Sequence, residues 1–326
     1  MPVSADTTQI AIVQEATYGV TPASPTWLIM PITGESLVAT ANSELSATLN
    51  ADRQSDDSFL NGIEPAGSLD FEFAKSPAMT LLLESAMGKA TATSTTDRTL
   101  TVGLDQISFT VEKRWPDPNT PGSYLYHRYP GCVANTMTLT FTAGTKCTGS
   151  CGLIGQALVT DDAVVAASTY PPITEFNVFR GPDVTQIELD NAGGTLLPTL
   201  TDSCVTDIVI NLNNNYRGVQ CLGTLGNKET VIGKFECNYT QTIFFSSNEL
   251  MDNFISQDIV DEIITVGDNA TDDYYTFTTT KGKIAANDVV AGGEGTDVVN
   301  ANTINWLNDK TLGTPTTIEI LTSEGL

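Results

Sequence analysis

The one histidine in this 326-residue chain, His127, lies in Tyr124-Leu-Tyr126-His-Arg128-Tyr129 with no nameable partner for general-base work, so it reads as a partly packed strand residue. No G-x-S-x-G elbow, H-E-x-x-H helix or G-x-G-x-x-G turn occurs, and Gly226-Asn227-Lys228 lacks the first glycine and the hydroxyl residue of a phosphate loop. Cys147-x3-Cys151 has neither CxxC spacing nor a neighbouring histidine, which argues against zinc. The six cysteines, Cys132, Cys147, Cys151, Cys204, Cys221 and Cys237, are too sparse for a disulfide framework and read mostly as small core or strand residues. Carboxylates are so frequent that pairs such as Asp56-Asp57 or Asp272-Asp273 arise by chance, and a glycosidase needs two facing across a cleft about 5–10 Å wide. Asp268, Asp272 and Asp273 miss the spacing of a calcium loop and read as a solvated turn. The expectation is a non-enzymatic protein with no cofactor and no metal.

Charge narrows the partners. Fifteen Lys and Arg stand against 39 Asp and Glu, a formal charge of −24, so neither a grip on nucleic acid nor a polybasic membrane contact is available. At 40 % hydrophobic residues the chain has enough apolar content to fold. No run approaches the roughly 18 apolar residues of a spanning helix, so no membrane insertion is expected. The opening stretch carries Asp6 and lacks the basic and apolar regions of a secretory signal, which predicts assembly in the cytoplasm.

The elements follow from periodicity. In 136–143 apolar residues fall on every second position and threonine fills the other face, the signature of a half-buried antiparallel strand. Ile107/Phe109/Val111, Phe176/Val178, Ile208/Ile210/Leu212 and Ile318/Ile320 repeat it, which predicts a mainly β protein. Two stretches read as helices. One opens at Ser76-Pro77, with Met79, Leu82, Leu83 and Ala86 on one face and Gly88 at its end. The other is expected from Ser246, with a capping box to Glu249 and a face of Leu250, Met251, Phe254 and Ile255.

Each helix follows a glycine-led strand, Gly67 to Phe73 and Gly233 to Tyr239, matched at an offset of 233 − 67 = 166. Upstream of each lies a polar stretch with an arginine: Asn42 to Gly67 with Arg53, and Asn213 to Gly233 with Arg217. This predicts a tandem duplication of one β unit, residues 1–165 and 166–326.

The runs Glu15-Ala-Thr-Tyr18-Gly19-Val-Thr-Pro22, Leu28 to Leu37, Ser43-Glu44-Leu45 and Asp52-Arg53 resemble the opening of tail tube proteins, or major tail proteins, of long-tailed, non-contractile bacteriophages. Phe109-Thr-Val-Glu112-Lys113, Tyr126 to Cys132 and the strand from Leu139 to Gly149 resemble the middle of that family. Asn213 to Asn215, Gly223, Gly226, the Gly233 strand and the Leu250 helix resemble its later part.

The resemblance implies an antiparallel β-sandwich or barrel with a flanking helix, whose inner strands join those of neighbouring copies around a channel for DNA ejection. It implies self-association into rings of six tube units, stacked as a tube, with long loops reaching the next ring. Two units per chain make the ring a trimer with pseudo-sixfold symmetry; without duplication it is a hexamer. An acidic lumen fits non-specific, transient passage of phage DNA, because it repels phosphates. The inter-ring loop candidates are Arg53, Asp56 and Asp57 in the first polar stretch, with Arg217 and Lys228 in the second. Tape-measure, terminator and baseplate proteins are implied as partners, the virion tail as location and host cytoplasm as place of assembly. The competing readings are an acidic β-sandwich adhesin for carbohydrate or calcium, and a carbohydrate-active enzyme.

Overall fold

The computed structural model describes residues 3–49, 54–92, 98–173, 177–191, 196–197, 204–268, 273–309 and 318–322. The chain is mainly β, as its alternation predicts, and among the described residues the sheet does not close into a barrel. Two 19-residue strands, Tyr124–Thr142 and Asp273–Ala291, organise it, because each leaves one layer halfway along and enters another. The first halves build the outer layers. Tyr124–Thr142 joins Leu28–Met30, Gln9–Gln14, Phe109–Pro116 and Val159–Asp161. Asp273–Ala291 joins Leu196–Leu197, Val184–Asn191, Val260–Asp268 and Ile318–Thr322.

The second halves meet in one continuous main sheet. Its order runs from Val38–Leu45 through Ser58–Glu72, Thr148–Ile154, Tyr124–Thr142, Val205–Asn213, Glu236–Phe244 and Val298–Trp306 to Asp273–Ala291. The pairings of Tyr124–Thr142 with Phe109–Pro116, Val159–Asp161 and Thr148–Ile154 have counterparts around Asp273–Ala291, down to the irregularities, whereas its pairing with Val205–Asn213 has none among the described residues. Met137 and Leu69 flank Cys151 as Asn287 and Gln241 flank Asn302, and a bulge follows at Gly152/Leu153 and at the strand facing Ile284/Ala286. A second bulge recurs between Phe109 and Val111 and between Val260 and Glu262. One hairpin breaks the correspondence: Ala90–Ala92 and Arg98–Thr101 extend the second outer layer by pairing with Ile318–Thr322.

The first helix, α1 (Pro77–Met87), forms for the reasons its sequence gives. Ser76 Oγ accepts from Met79 N at 3.1 Å, Pro77 opens the first turn, and Gly88 ends it at φ 73°, a left-handed conformation that favours glycine. Residues Ala78 to Met87 are all buried. The second, α2 (Glu249–Ser256), starts later than its sequence suggests. Asn248 is the N-cap residue and makes no side-chain cap bond, so the expected box from Ser246 does not form. Leu250 is buried, but Ile255 is 72 % exposed, because eight residues give too little length for both ends of the apolar stripe to reach the layers below.

The repeat register also differs from the sequence match. The helices begin 249 − 77 = 172 residues apart, and the long strands correspond at 287 − 137 = 150. Gly67 lies inside Ser58–Glu72 with φ 154°, whereas Gly233 precedes Glu236–Phe244, so the two glycines are not equivalent. Phe176 lies outside the described residues, and Val178 makes only an isolated bridge to Ala74. A single apolar core runs through both halves, and Phe73 ties them, with its ring 5.8 Å from Phe141 and 5.2 Å from Tyr275.

Candidate functional site

The outer face of the main sheet is where the alternation places everything polar. Met137, Leu139 and Phe141 point into the core, so Thr136, Thr138, Thr140 and Thr142 point out. Asn211 and Asn238 lie beside them on the next two strands, and the side chains link laterally: Thr138 Oγ1 donates to Asn211 at 3.0 Å, and Asn211 Nδ2 donates to Asn238 Oδ1 at 3.2 Å. Asp70, Glu72, Asp207, Glu236 and Asp288 share this face. Glu72 is matched by Lys146, and Thr142 donates to Asp207. The face is hydroxyl- and amide-covered with a surplus of carboxylates, a wetted surface that does not hold anions.

Both edges of this sheet are open among the described residues. At one edge Val38–Leu45 pairs only with Ser58–Glu72, and Val38 is 55 % exposed. At the other, the second half of Asp273–Ala291 pairs only with Val298–Trp306, leaving Val289 and Val290 exposed. Unpaired strands carrying exposed valines are templates for further pairing. Inside the chain the two halves of the sheet join where Tyr124–Thr142 meets Val205–Asn213, with Thr138 opposite Asn211.

The two long polar stretches become hairpins rather than loops. Val38–Leu45 and Ser58–Glu72 extend into an arm whose ladder reaches Leu45 opposite Ser58. Asp57 closes its tip, its carbonyl accepting from Ser46 N at 2.9 Å, and Asp56 accepts from Thr48 Oγ1 at 3.3 Å. Arg53 lies outside the described residues. Leu45, Leu49, Phe59 and Leu60 are exposed along this arm, Leu49 completely. Their apolar character was hidden in a stretch that reads as polar.

Arg217 and Lys228 occupy the second hairpin, Arg217–Gln220 with Asn227–Val231, and both are exposed. That hairpin docks against the base of the arm. Ile63 N donates to Leu225 O at 2.7 Å, Gln220 Nε2 donates to Glu64 at 3.1 Å, and Asn227 Nδ2 donates to Gly155 O at 3.0 Å. The fold thus brings the two stretches together at their bases, while Asp56 and Asp57 remain at the arm's tip.

Several charged residues of the N-terminal and middle motifs fix geometry. Buried Glu15 accepts from Gly19 N, Ser108 Oγ, Thr110 Oγ1 and Gly131 N at 2.7–2.8 Å, tying the end of the first strand to Phe109–Pro116 and Tyr124–Thr142. Arg128 donates to Glu112 at 2.8 Å, to Asp161 at 3.2 Å and to Ala163 O at 2.8 Å. Tyr170 also donates to Glu112, and burial followed by that bond raises its phenol above the usual range. Lys113, itself buried, bonds Glu35 and the Leu37 carbonyl. His127 stands edge-on to Trp115 at 4.7 Å, and burial, then Lys113, lowers its imidazole.

All six cysteines are free thiols, and burial pushes those of Cys147 and Cys151 up to about 12. No helix among the described residues is long and apolar enough to cross a membrane. No curated protein matches the chain significantly. A family model described as phage tail tube protein matches residues 5–319.

Proposed function

The chain belongs to the phage tail tube protein family, and on that premise we propose that three copies form a ring, that rings stack into the tail tube, and that the genome passes through its lumen on ejection. The tail tube role is structural and belongs to the virion tail. The observation that carries the ring is the recurrence of one pairing scheme, bulges included, in both halves of the chain. We read it as tandem copies of one tube unit, residues 1–165 and 166–326. Two units per chain make a trimer present six, and the internal junction then serves as the template for the junction between copies.

Register makes this specific. Thr138 corresponds to Asp288, and Asn211 to Val38, through the partners each shares on the neighbouring strands. Since Thr138 faces Asn211 within the chain, Asp288 faces Val38 of the next copy. The ladder closes on itself and no edge remains exposed. The polar face then lines the lumen, where Asp70, Asp207, Glu236 and Asp288 keep phosphates moving. The arm, with its exposed Leu49 and Phe59, reaches the next ring together with Asp56, Asp57 and Arg53, and the Arg217–Lys228 hairpin supports it. Assembly occurs in the host cytoplasm in a non-contractile tail. Tape-measure, terminator and baseplate proteins complete it.

Native mass spectrometry and electron microscopy test the assembly. Rings near three times 34.7 kDa support the trimer, and rings near six times that mass discard the tandem reading while keeping the tube. With the exposed Cys204 and Cys221 changed to alanine, Val38→Cys together with Asp288→Cys should yield covalent trimers on oxidation, and either cysteine alone should not. Double-cysteine rings that fail to cross-link overturn the register.

A further inference from the structure

Between the main sheet and the second outer layer lies a row of polar side chains with almost no partners. Asn302 is fully buried, Glu262 is 1 % exposed, Asn300 2 % and Asn287 5 %. Asn302 stands directly opposite both Gln241 and Asn287 on adjacent strands, which sets their side chains about 5 Å apart, and Asn300 follows two residues along on the same face. Glu262 reaches the row from the opposite layer and accepts from Gln241 through Oε1. Its Oε2, both side-chain polar atoms of Asn287 and Asn302, and Asn300 Oδ1 make no hydrogen bond.

The corresponding positions of the first half are apolar. Leu69, Cys151, Met137 and Val111 stand where the second half has Gln241, Asn302, Asn287 and Glu262, in the same ladder pairs. The first set is a dry, fully buried patch. A fold that packs apolar side chains at these positions has no structural need of the three amides and the carboxylate that stand there in the second half, and orphaned polar groups destabilise the fold unless something satisfies them. The unpartnered oxygens are carboxylate and amide carbonyl, the donors that hard cations select.

We propose that Glu262, Asn287, Asn300 and Asn302 supply the oxygen ligands of a buried sodium ion. Charge decides the valence: one carboxylate balances one positive charge, whereas a divalent ion leaves a net buried charge. The site concerns the fold of each subunit, so its test is independent of ring assembly.

The experiment is thermal unfolding of the whole chain at pH 9 in sodium chloride and in choline chloride at equal ionic strength. Sodium at ten times its dissociation constant should raise the folded-to-unfolded ratio about eleven-fold and raise Tm, with saturation. The effect should shrink at pH 6, where a proton competes for Glu262; the Cys237 thiol and Tyr239 phenol beside it stay neutral throughout, both held well above their usual ranges by burial. Glu262→Gln keeps the shape and should abolish the sodium effect. The variant Gln241→Leu/Glu262→Val/Asn287→Met/Asn302→Cys, which copies the first half, should do the same. Equal Tm in the two salts, a sodium effect that survives Glu262→Gln, or stabilisation by calcium alone would each overturn the proposal.

Discussion

Glu262 is a carboxylate where the matching ladder position in the first half of the chain has Val111, and this single difference makes a pH dependence. Burial raises its carboxyl from 4.5 to about 8, with the Gln241 bond only partly opposing. In the unfolded chain the group ionises near its ordinary value, so between about pH 4.5 and 8 the unfolded state has lost a proton that the folded state keeps. Stability in sodium-free buffer should therefore fall with rising pH across that window, by about 1.4 kcal/mol per unit, and level off above it. Glu262→Gln should flatten the profile in urea titrations at a series of pH values; an unchanged slope would assign it to other groups. Neither this residue nor its amide neighbours were legible in the sequence. Alternation assigns Asn to the solvent face or to turns, and only the ladder register reveals that Asn287 and Asn302 lie inward. Glu15 and Arg128 were visible as members of the family-like runs, but their bonds span as many as 116 positions, so their anchoring role was not. Exposure of Arg217 and Lys228 was legible from the polar stretch around them.

At the scale of elements, local signals succeeded where the chain satisfies itself locally. The α1 cap is such a case, and Ser76→Ala should cost about 1 kcal/mol, measured by chemical denaturation, because Met79 N loses its acceptor inside the core. The strands around 136–143, 208–212 and 318–320 were legible for the same reason, since a pleat needs only alternation. The start of α2 was not: Ser246 and Glu249 have the spacing of a capping box, yet the preceding strand Glu236–Phe244 sets where the chain can turn. The offset of 166 failed for a related reason. A seven-residue match sees composition, whereas the recurring pairing scheme is set by hydrogen-bond partners and bulges, and the loops between them differ in length. That the polar stretches fold into hairpins instead of loops also depended on partners, as the Ile63–Leu225 contact shows.

For the molecule as a whole, family and mainly β class were legible because motifs and periodicity run along the entire chain. The exchange of strands between layers was not, since both 19-residue strands read as one uniform pattern on paper. The hairpin of Ala90–Ala92 and Arg98–Thr101 is the clearest example: it belongs to the first half by sequence and to the second by pairing. Deleting residues 318–326 should leave that hairpin without its pairing strand and Tyr275–Thr279 paired only with Val260–Asp268, and limited proteolysis should then cut between residues 88 and 108 before any other site. Equal protection of that segment in the full and shortened chains would count against the interlock. Ile318–Thr322 comes 318 − 101 = 217 positions after the hairpin it pairs with, so during translation Ala90–Ala92 and Arg98–Thr101 wait for their partner strand. The nascent chain therefore cannot finish its second outer layer until residues 318–322 have been made.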